Sequence, residues 1–484
     1  MMWSDRPSFA ERRRLGDRLL ALLPAPKPSA RGARTPLRRA ASPEQVALEL
    51  RSRGGFAWLD GGAGSGGGEG HRLAAEPLAV LAVRAGRATV TAGGPGGKRR
   101  AFAGRGFDLL EAALDTWGGA GGALLGYLGY ELAAELEAIP IPAADDFALP
   151  DLRLALYDRV LLWDGRGWAL ESTDAWRGGD PVYEAERLLE SAAAREVADP
   201  GPARYAGHTL SHPSRDGFEG AVRRTVERIA RGEIFQANLC RRIEAPLAAR
   251  QVWPLYWRLR AASPAVRGAF FDLGQGRALL SISPEIFLSV RGRSAETRPI
   301  KGTRRRGANP ADDRALAREL LESRKDRAEL AMIVDVARND LGRVAAPGSI
   351  ETSDLARLVT LPTVHHLVAT VRGELRPEVG PAELLRATFP AASISGAPKI
   401  RAMSVIAAEE ERRRGPAMGA LGWISLNGDL DLAVAIRTAV AARGKVAYHA
   451  GCGITADSLP DLEREESEAK AAAFLTAIGR LEFG

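Results

Sequence analysis

An α+β fold is predicted for this chain on three observations. Stretches with helical spacing alternate with β-hairpin patterns, few strand-helix-strand crossovers are evident, and 484 residues with 45% hydrophobic and 26% charged content can close a substantial core. The length allows one large domain or two to three ordinary ones. No internal repeat of fixed period argues for a solenoid or propeller.

In chain order, residues 1–42 are rich in Arg, Pro and Ala and read as a flexible N-terminal extension. An apolar stretch follows ERRRL, but Asp17 and Arg18 interrupt it, so a cleaved secretory signal is not expected. Residues 43–195 form the first folded region. It opens with a strand in GGFAWLDGG, followed by AGSGGGEG, a loop too glycine-rich to hold one conformation unaided. LAVLAVRAGRATVTAG alternates as a hairpin, DLLEAALDTWG is helical, and DLRLALYDRVLLWDG reads as one strand ending at an Asp-Gly turn. A Pro/Gly/Ser/His linker, 196–213, leads to the region that carries the chemistry, 214–476.

There GFEGAVRRTVERIARG is a helix closed by Gly232 and followed by a strand, and PLYWRLRAASP is a second helix. ALLSISPEIFLSVRGRSAETRPIKG reads as strand, turn, strand and loop. DDRALARELLESRKDRAELAMIVDVARNDLGRV reads as one long amphipathic helix, with Leu316, Leu320, Leu330 and Ile333 at helical spacings.

Composition excludes several classes. Two cysteines cannot make a disulfide framework or a zinc site and point to a reducing, cytoplasmic setting. Six scattered histidines offer no metal-ligand spacing. No apolar run is long enough to span a bilayer, so no membrane partner is expected. A net charge of +7 permits nucleic-acid binding, but the arginines are dispersed among acids rather than clustered. Of the 67 basic residues seven are Lys, which makes Lys301, set in RPIKGTRRRG, worth notice. Unlike Arg, a crowded Lys can shed its proton and act as a nucleophile or base.

Two helical stretches each place a carboxylate pair three residues apart, Asp326 with Glu329 and Glu463 with Glu466. Each pair shares one helix face, so together the helices can offer oxygens to a hard cation such as Mg²⁺, although paired acids on helices are usually solvated. SISGAPKIRAMSVI delivers a helix from a small-residue loop with Pro398 in its first turn, and AGCGI lets backbone approach an anion near Gly451 and Gly453. Arg437, on the strand pattern LDLAVAIRTAV, can clamp a carboxylate, or lie at the surface. Together these describe a pocket for a small, multiply anionic ligand with Mg²⁺. Glu285 in SISPEIF precedes Lys301 in a strand pair able to set an acid and an amine on opposite sides of one substrate.

PIKGT, AELAMIVDVARNDLGRV, SISGAPKIRAM, DLAVAIRT and AGCGITADSLPDLEREESEAK occur in the order that resembles the chorismate-utilising enzymes, among them anthranilate, aminodeoxychorismate, isochorismate and salicylate synthases. AWLD, GGALLGYLGYE and LPDLRLALYDRVLLWD resemble the N-terminal region of the first two. The resemblance implies a large β-sandwich flanked by helices. It also separates the members: the water-using enzymes carry Lys where this chain has Gln236, and anthranilate synthases typically read PIAGT where this chain reads PIKGT. Gln236 with Lys301 therefore resembles aminodeoxychorismate synthase component I.

The resemblance implies a role for each of these residues. Glu329 and Glu466, with Asp326 and Glu463 nearby, hold Mg²⁺ against the ring carboxylate of chorismate. Arg437, the backbone at Gly451 and Gly453, and Lys470 hold carboxylates, while Gly302, Thr303, Ser393 and Gln236 line the substrate and His366 lies beside it. Glu285 protonates the departing C4 hydroxyl as neutral Lys301 adds at C2; ammonia then attacks C4 and expels the lysine. Arg298, Arg304, Arg305 and Arg306 are expected to help depress the Lys301 pKa. Without a Cys-centred glutaminase motif, the chain requires a glutamine amidotransferase subunit as its ammonia source.

Two departures stand out. Ala417 stands where relatives usually have Tyr or Trp, two residues before the first Gly of the xGAxGY element, and Trp58-Leu59-Asp60-Gly61 replaces a Leu-Leu-x-Ser element associated with tryptophan binding. The nearest rival is an anthranilate synthase component, against which Lys301 argues; a remote one is a non-catalytic nucleic-acid-binding protein.

Overall fold

The computed structural model describes residues 9–26, 32–61, 70–93, 97–199, 201 and 208–479. The glycine-rich loop expected after Asp60 lies almost wholly outside them. Two antiparallel sheets of twelve strands each, faced by helices, form an α+β sandwich. The apolar layer between the sheets includes Leu125, Tyr127, Phe271, Leu279, Trp423 and Val440. One outer face is covered by the helices Gly106–Trp117, Arg324–Gly342 and Pro381–Thr388, the other by Pro43–Leu50, Val252–Ala262 and Pro460–Ala477. Strands covered on both faces, such as Ala123–Leu128, are apolar at nearly every position, which is why ALLGYL does not alternate.

The expected division at 43–195 and 214–476 does not separate two bodies. Trp58 pairs with Phe270, and Gly126 pairs with Gly422, so each half of the chain supplies strands to both sheets. The expected linker ends in a short strand, Leu210–His212, paired with Gln236–Pro246. The N-terminal stretch is likewise structured in part. A helix, Phe9–Leu20, buries Leu19, and the strand Ala33–Pro36 pairs with Trp168–Ser172. The charges at Asp17 and Arg18 that interrupt the apolar run are tolerated because Leu15, Leu19, Leu22 and Leu23 repeat at helical spacing against the core.

Three segments expected to be continuous are broken, each for a local reason. DLRLALYDRVLLWD is two strands, Leu152–Tyr157 and Arg159–Trp163, which pass from one sheet to the other at Asp158. The long helix is two, Pro310–Glu322 and Arg324–Gly342; Ser323 is extended between them and its hydroxyl accepts the Asp326 N–H as an N-cap. LDLAVAIRTAV is also two strands, Leu430–Val434 and Thr438–Ala442, in different sheets, with Arg437 at the crossing in a left-handed conformation (φ +47°).

Candidate active site

The site lies where two crossings between the sheets meet. The segment joining Arg277–Ser283 to Ile286–Arg291 carries Glu285, and the segment from Val434 to Thr438 carries Arg437. They are tied to one another: Val434 N–H donates to the Glu285 carbonyl (3.1 Å), the Ser283 hydroxyl to the Val434 carbonyl (2.6 Å), and Ile282 N–H to the Arg437 carbonyl (3.1 Å). A strand that changes sheets cannot complete its ladder, so this mutual bonding satisfies the backbone at the crossing while leaving side chains to project.

Lys301 lies on the strand Ile300–Arg305, paired with Val364–Glu374. The register shifts between Lys301 and Thr303, and Gly302 absorbs the bulge at φ +73°. A Cβ there would sit 2.8 Å from the Leu320 side chain and 3.0 Å from that of Asp326, so Gly302 is also what lets the helices approach. Lys301 Nζ donates to the Ser393 carbonyl (3.3 Å). On the opposite sheet a Cβ added to Gly453 would come 2.2 Å from Gln236 Nε2 and 3.4 Å from Lys301 Nζ. Amide and amine therefore converge over a glycine that must stay bare. Gln236 is buried, yet neither end of its amide finds a partner among the described residues. Such a group is costly unless something else is meant to meet it.

Burial raises the Glu285 carboxyl to about 7, against the Ser393 hydroxyl, Lys301 and the Ile300 N–H, which favour its charged form. Desolvation, aided by Lys470, lowers the Lys301 amine below its ordinary value, against Glu329, Glu285 and Glu466. The expected contribution of the arginines is replaced by these causes: Arg298 pairs with Glu296, Arg304 with Glu319 and Asp326, and Arg306 with Asp313. His366 is pushed down to about 3, chiefly by burial and then by Arg437, and so stays neutral; its Nδ1 meets the Thr303 hydroxyl at 2.9 Å and its Nε2 has no partner among the described residues.

The acidic pairs are brought to this region by the Arg324–Gly342 and Pro460–Ala477 helices. Glu463 is buried, with one oxygen accepting from Ser458 (2.7 Å) and the other unpartnered among the described residues. A carboxylate oxygen of Glu463, one of Glu466 and the Cys452 sulfur lie within 4.8 Å of one another. Desolvation raises Glu329, with Asp326 and Glu466 adding repulsion against the pull of Lys301 and Lys325. Clustered carboxylates that repel one another, one with a free oxygen, fit a hard divalent cation. Asp326 is the outlier, since Arg304 occupies its carboxylate at 3.1 Å. Lys470 Nζ donates to the Gly451 carbonyl (2.9 Å) and pairs with Glu466 (2.7 Å), so it braces the glycine strand and an acid. Arg437 has no carboxylate partner among the described residues and remains available to a substrate.

Cys452 carries no motif of its own, although alternation along Lys445–Ile454 places it on the face opposite Gly451 and Gly453, toward Glu463. Ala417 is buried in the inter-sheet core, and Asp60 is buried with His71, Tyr256 and Arg260 as partners.

A family model described as chorismate binding enzyme matches residues 65–476. Anthranilate synthase component 1 of Streptomyces coelicolor is 39% identical over 377 residues, covering 75% of this chain and 73% of that protein. Aminodeoxychorismate synthase component 1 of Salmonella typhimurium is 39% identical over 346 residues, covering 72% and 74%. The crystal structure of anthranilate synthase component I from Streptococcus pneumoniae superposes with a TM-score of 0.70 at 28% identity, over 83% of this chain and 90% of that one. The matched span includes Glu285, Lys301 and the carboxylate pairs of both acidic helices, and the chain belongs to the family of chorismate-binding enzymes.

Proposed function

We propose that this protein is an aminodeoxychorismate synthase component I, converting chorismate and ammonia to 4-amino-4-deoxychorismate. The observation that carries the reading is Lys301: a lysine whose amine is desolvated, beside the Gln236 amide and across from an acid held at about 7. In this reading Glu285 gives its proton to the C4 oxygen as the C4–O bond breaks, while the Lys301 lone pair forms a bond at C2 and the ring double bond shifts. Ammonia next bonds at C4, the double bond returns, and the C2–Nζ bond breaks. Neutral His366, Thr303 and the Gln236 amide offer hydrogen bonds within the pocket, and Arg437 pairs with a carboxylate. Glu329, Glu463 and Glu466 would hold Mg²⁺, which supplies positive charge for the ring carboxylate. Both cysteines are buried, so ammonia from glutamine is assigned to a separate amidotransferase subunit.

The second reading, an anthranilate synthase component, is favoured by relatives of equal identity, so identity does not choose between them. Product identification does. Incubated with chorismate, Mg²⁺ and ammonium, the protein is expected to yield 4-amino-4-deoxychorismate; anthranilate would replace the first reading by the second, and turnover of glutamine by this chain alone would remove the partner.

A second test concerns the cation. Glu329→Gln and Glu466→Gln are each expected to raise the Mg²⁺ concentration for half-maximal rate by about tenfold or more, and a Mg²⁺ titration of the rate reads this directly. An unchanged titration in both variants would remove these residues from the cation site.

A further inference from the structure

We infer that Arg414, held by Glu410, is a positioning residue that fixes the strand and the turn presenting Gln236 and Ser393 to the pocket. The inference rests on the reading of that pocket as the chorismate site.

The strand Gln236–Pro246 pairs along one edge with Lys445–Ile454 from Ala237 to Pro246. Its other edge is covered in two separate pieces. Gln236 and Ala237 pair with Ala397 and Gly396, and Arg242 to Glu244 pair with His212 to Leu210. Between them lies an edge that no strand covers, and three of its backbone groups find partners elsewhere. Asn238 N–H donates to the Ser395 carbonyl (2.9 Å), the Asn238 carbonyl accepts from Arg414 Nη2 (2.6 Å), and Cys240 N–H donates to Glu410 Oε1 (2.8 Å). Two side chains thus bond backbone groups of this strand where no neighbouring strand does.

The same guanidinium reaches the turn. Arg414 Nη1 donates to the Ile394 carbonyl (2.9 Å), while Nε and Nη2 grip both oxygens of Glu410 (2.8 and 2.6 Å). Ile394 directly follows Ser393, whose carbonyl accepts from Lys301, and Asn238 lies two residues beyond Gln236. Arg414 is itself anchored from the N-terminal region. Glu131 accepts the Arg414 and Gly415 N–H groups (2.7 and 2.9 Å), and the guanidinium lies 4.3 Å from the Tyr130 ring centroid.

Arg414 is 3% exposed and Glu410 8%. A buried ion pair is weak evidence for stability, since apolar residues of similar volume often replace one without loss. What an apolar pair cannot do is hold two carbonyls from different segments in one plane. Lysine, a single point charge, cannot hold them and Glu410 in the same fork geometry.

The test uses Arg414→Lys and the double variant Glu410→Met with Arg414→Met in the full chain. Chorismate consumption with Mg²⁺ and ammonium is measured whatever the product, alongside the chorismate KM, thermal unfolding and hydrogen exchange. In both variants kcat is expected to fall about tenfold to a hundredfold, the cost of a small misplacement of reacting groups, with KM within about threefold and a cooperative unfolding transition retained. Exchange is expected to rise at residues 236–241 and 392–396 and nowhere else. A folded Arg414→Lys with kcat within about twofold of the unaltered chain would overturn the inference. So would unchanged local exchange, or a rate loss that only tracks the unfolded fraction. Should the unaltered chain leave chorismate untouched, the proposed function fails, and the exchange result alone decides the positioning role.

Discussion

Lys301→Ala is expected to lose formation of 4-amino-4-deoxychorismate by on the order of a thousandfold or more while still binding chorismate. The size reflects the proposed role, in which the residue supplies the bond-forming electron pair. Its Nζ donates to the Ser393 carbonyl, and desolvation disfavours its ammonium form. Glu329, Glu285 and Glu466 pull the other way and keep the amine from losing its basicity altogether. Lys301→Arg should be as inactive as Ala, since a guanidinium does not give up its proton. Lys301→Met, close to Lys in length, separates lost chemistry from lost packing, and is also expected to be inactive. Product analysis and a chorismate binding titration check both halves; undiminished 4-amination in any of the three variants would remove Lys301 from the reaction.

The residues legible in the sequence are those whose chemistry is unusual for their setting: a lysine in an arginine-rich chain, an acid near it, and carboxylate pairs at helical spacing. Helices and hairpins with one less buried side, such as Ala79–Arg84 with Arg87–Ala92, are legible from periodicity, whereas strands covered on both faces, such as Ala123–Leu128, do not alternate. Where the chain changes sheets, periodicity is silent. Nothing in the apolar run around Asp158 or before Arg437 announces a crossing, because both flanking strands are buried in either sheet. The break at Ser323 does carry a signal, since Ser323 followed three residues later by Asp326 is an N-cap pattern inside a helical one. The backbone-bonding role of Glu410 and Arg414 is not readable from sequence, because it depends on where Gln236–Pro246 lacks a neighbour, a property of topology. The contacts of Lys470 to Glu466 and the Gly451 carbonyl are set by the packing of the last helix on Lys445–Ile454, which the sequence does not announce.

Glu285→Gln is expected to lower kcat by about 10²–10⁴-fold and to make the protein more stable above neutral pH. Both effects come from one fact. Burial lifts the carboxyl from its ordinary 4.5 to about 7, so the fold favours the protonated acid that the proposed loss of the C4 hydroxyl calls for. In the proposed mechanism the reactive form carries a proton on Glu285 and none on Lys301, which makes the expected rate against pH a bell with one limb near pH 7. Gln cannot titrate, so the fall on the alkaline side should vanish in the variant, leaving only the rise as Lys301 loses its proton. The stability effect has a definite sign. Below about pH 4.5 the carboxyl is neutral in the folded and unfolded chains alike and nothing is lost. As pH rises to 7 the unfolded chain ionises first, and above 7 the folded protein bears a penalty of about 3 kcal/mol that Gln does not. Unfolding measured at pH 4 and pH 8 should therefore show Glu285→Gln near parity at the first and more stable at the second. A variant that loses activity and stability together at pH 8 would mark Glu285 as a packing residue. One that is slower yet more stable identifies an acid that burial keeps protonated at a cost to stability above neutral pH.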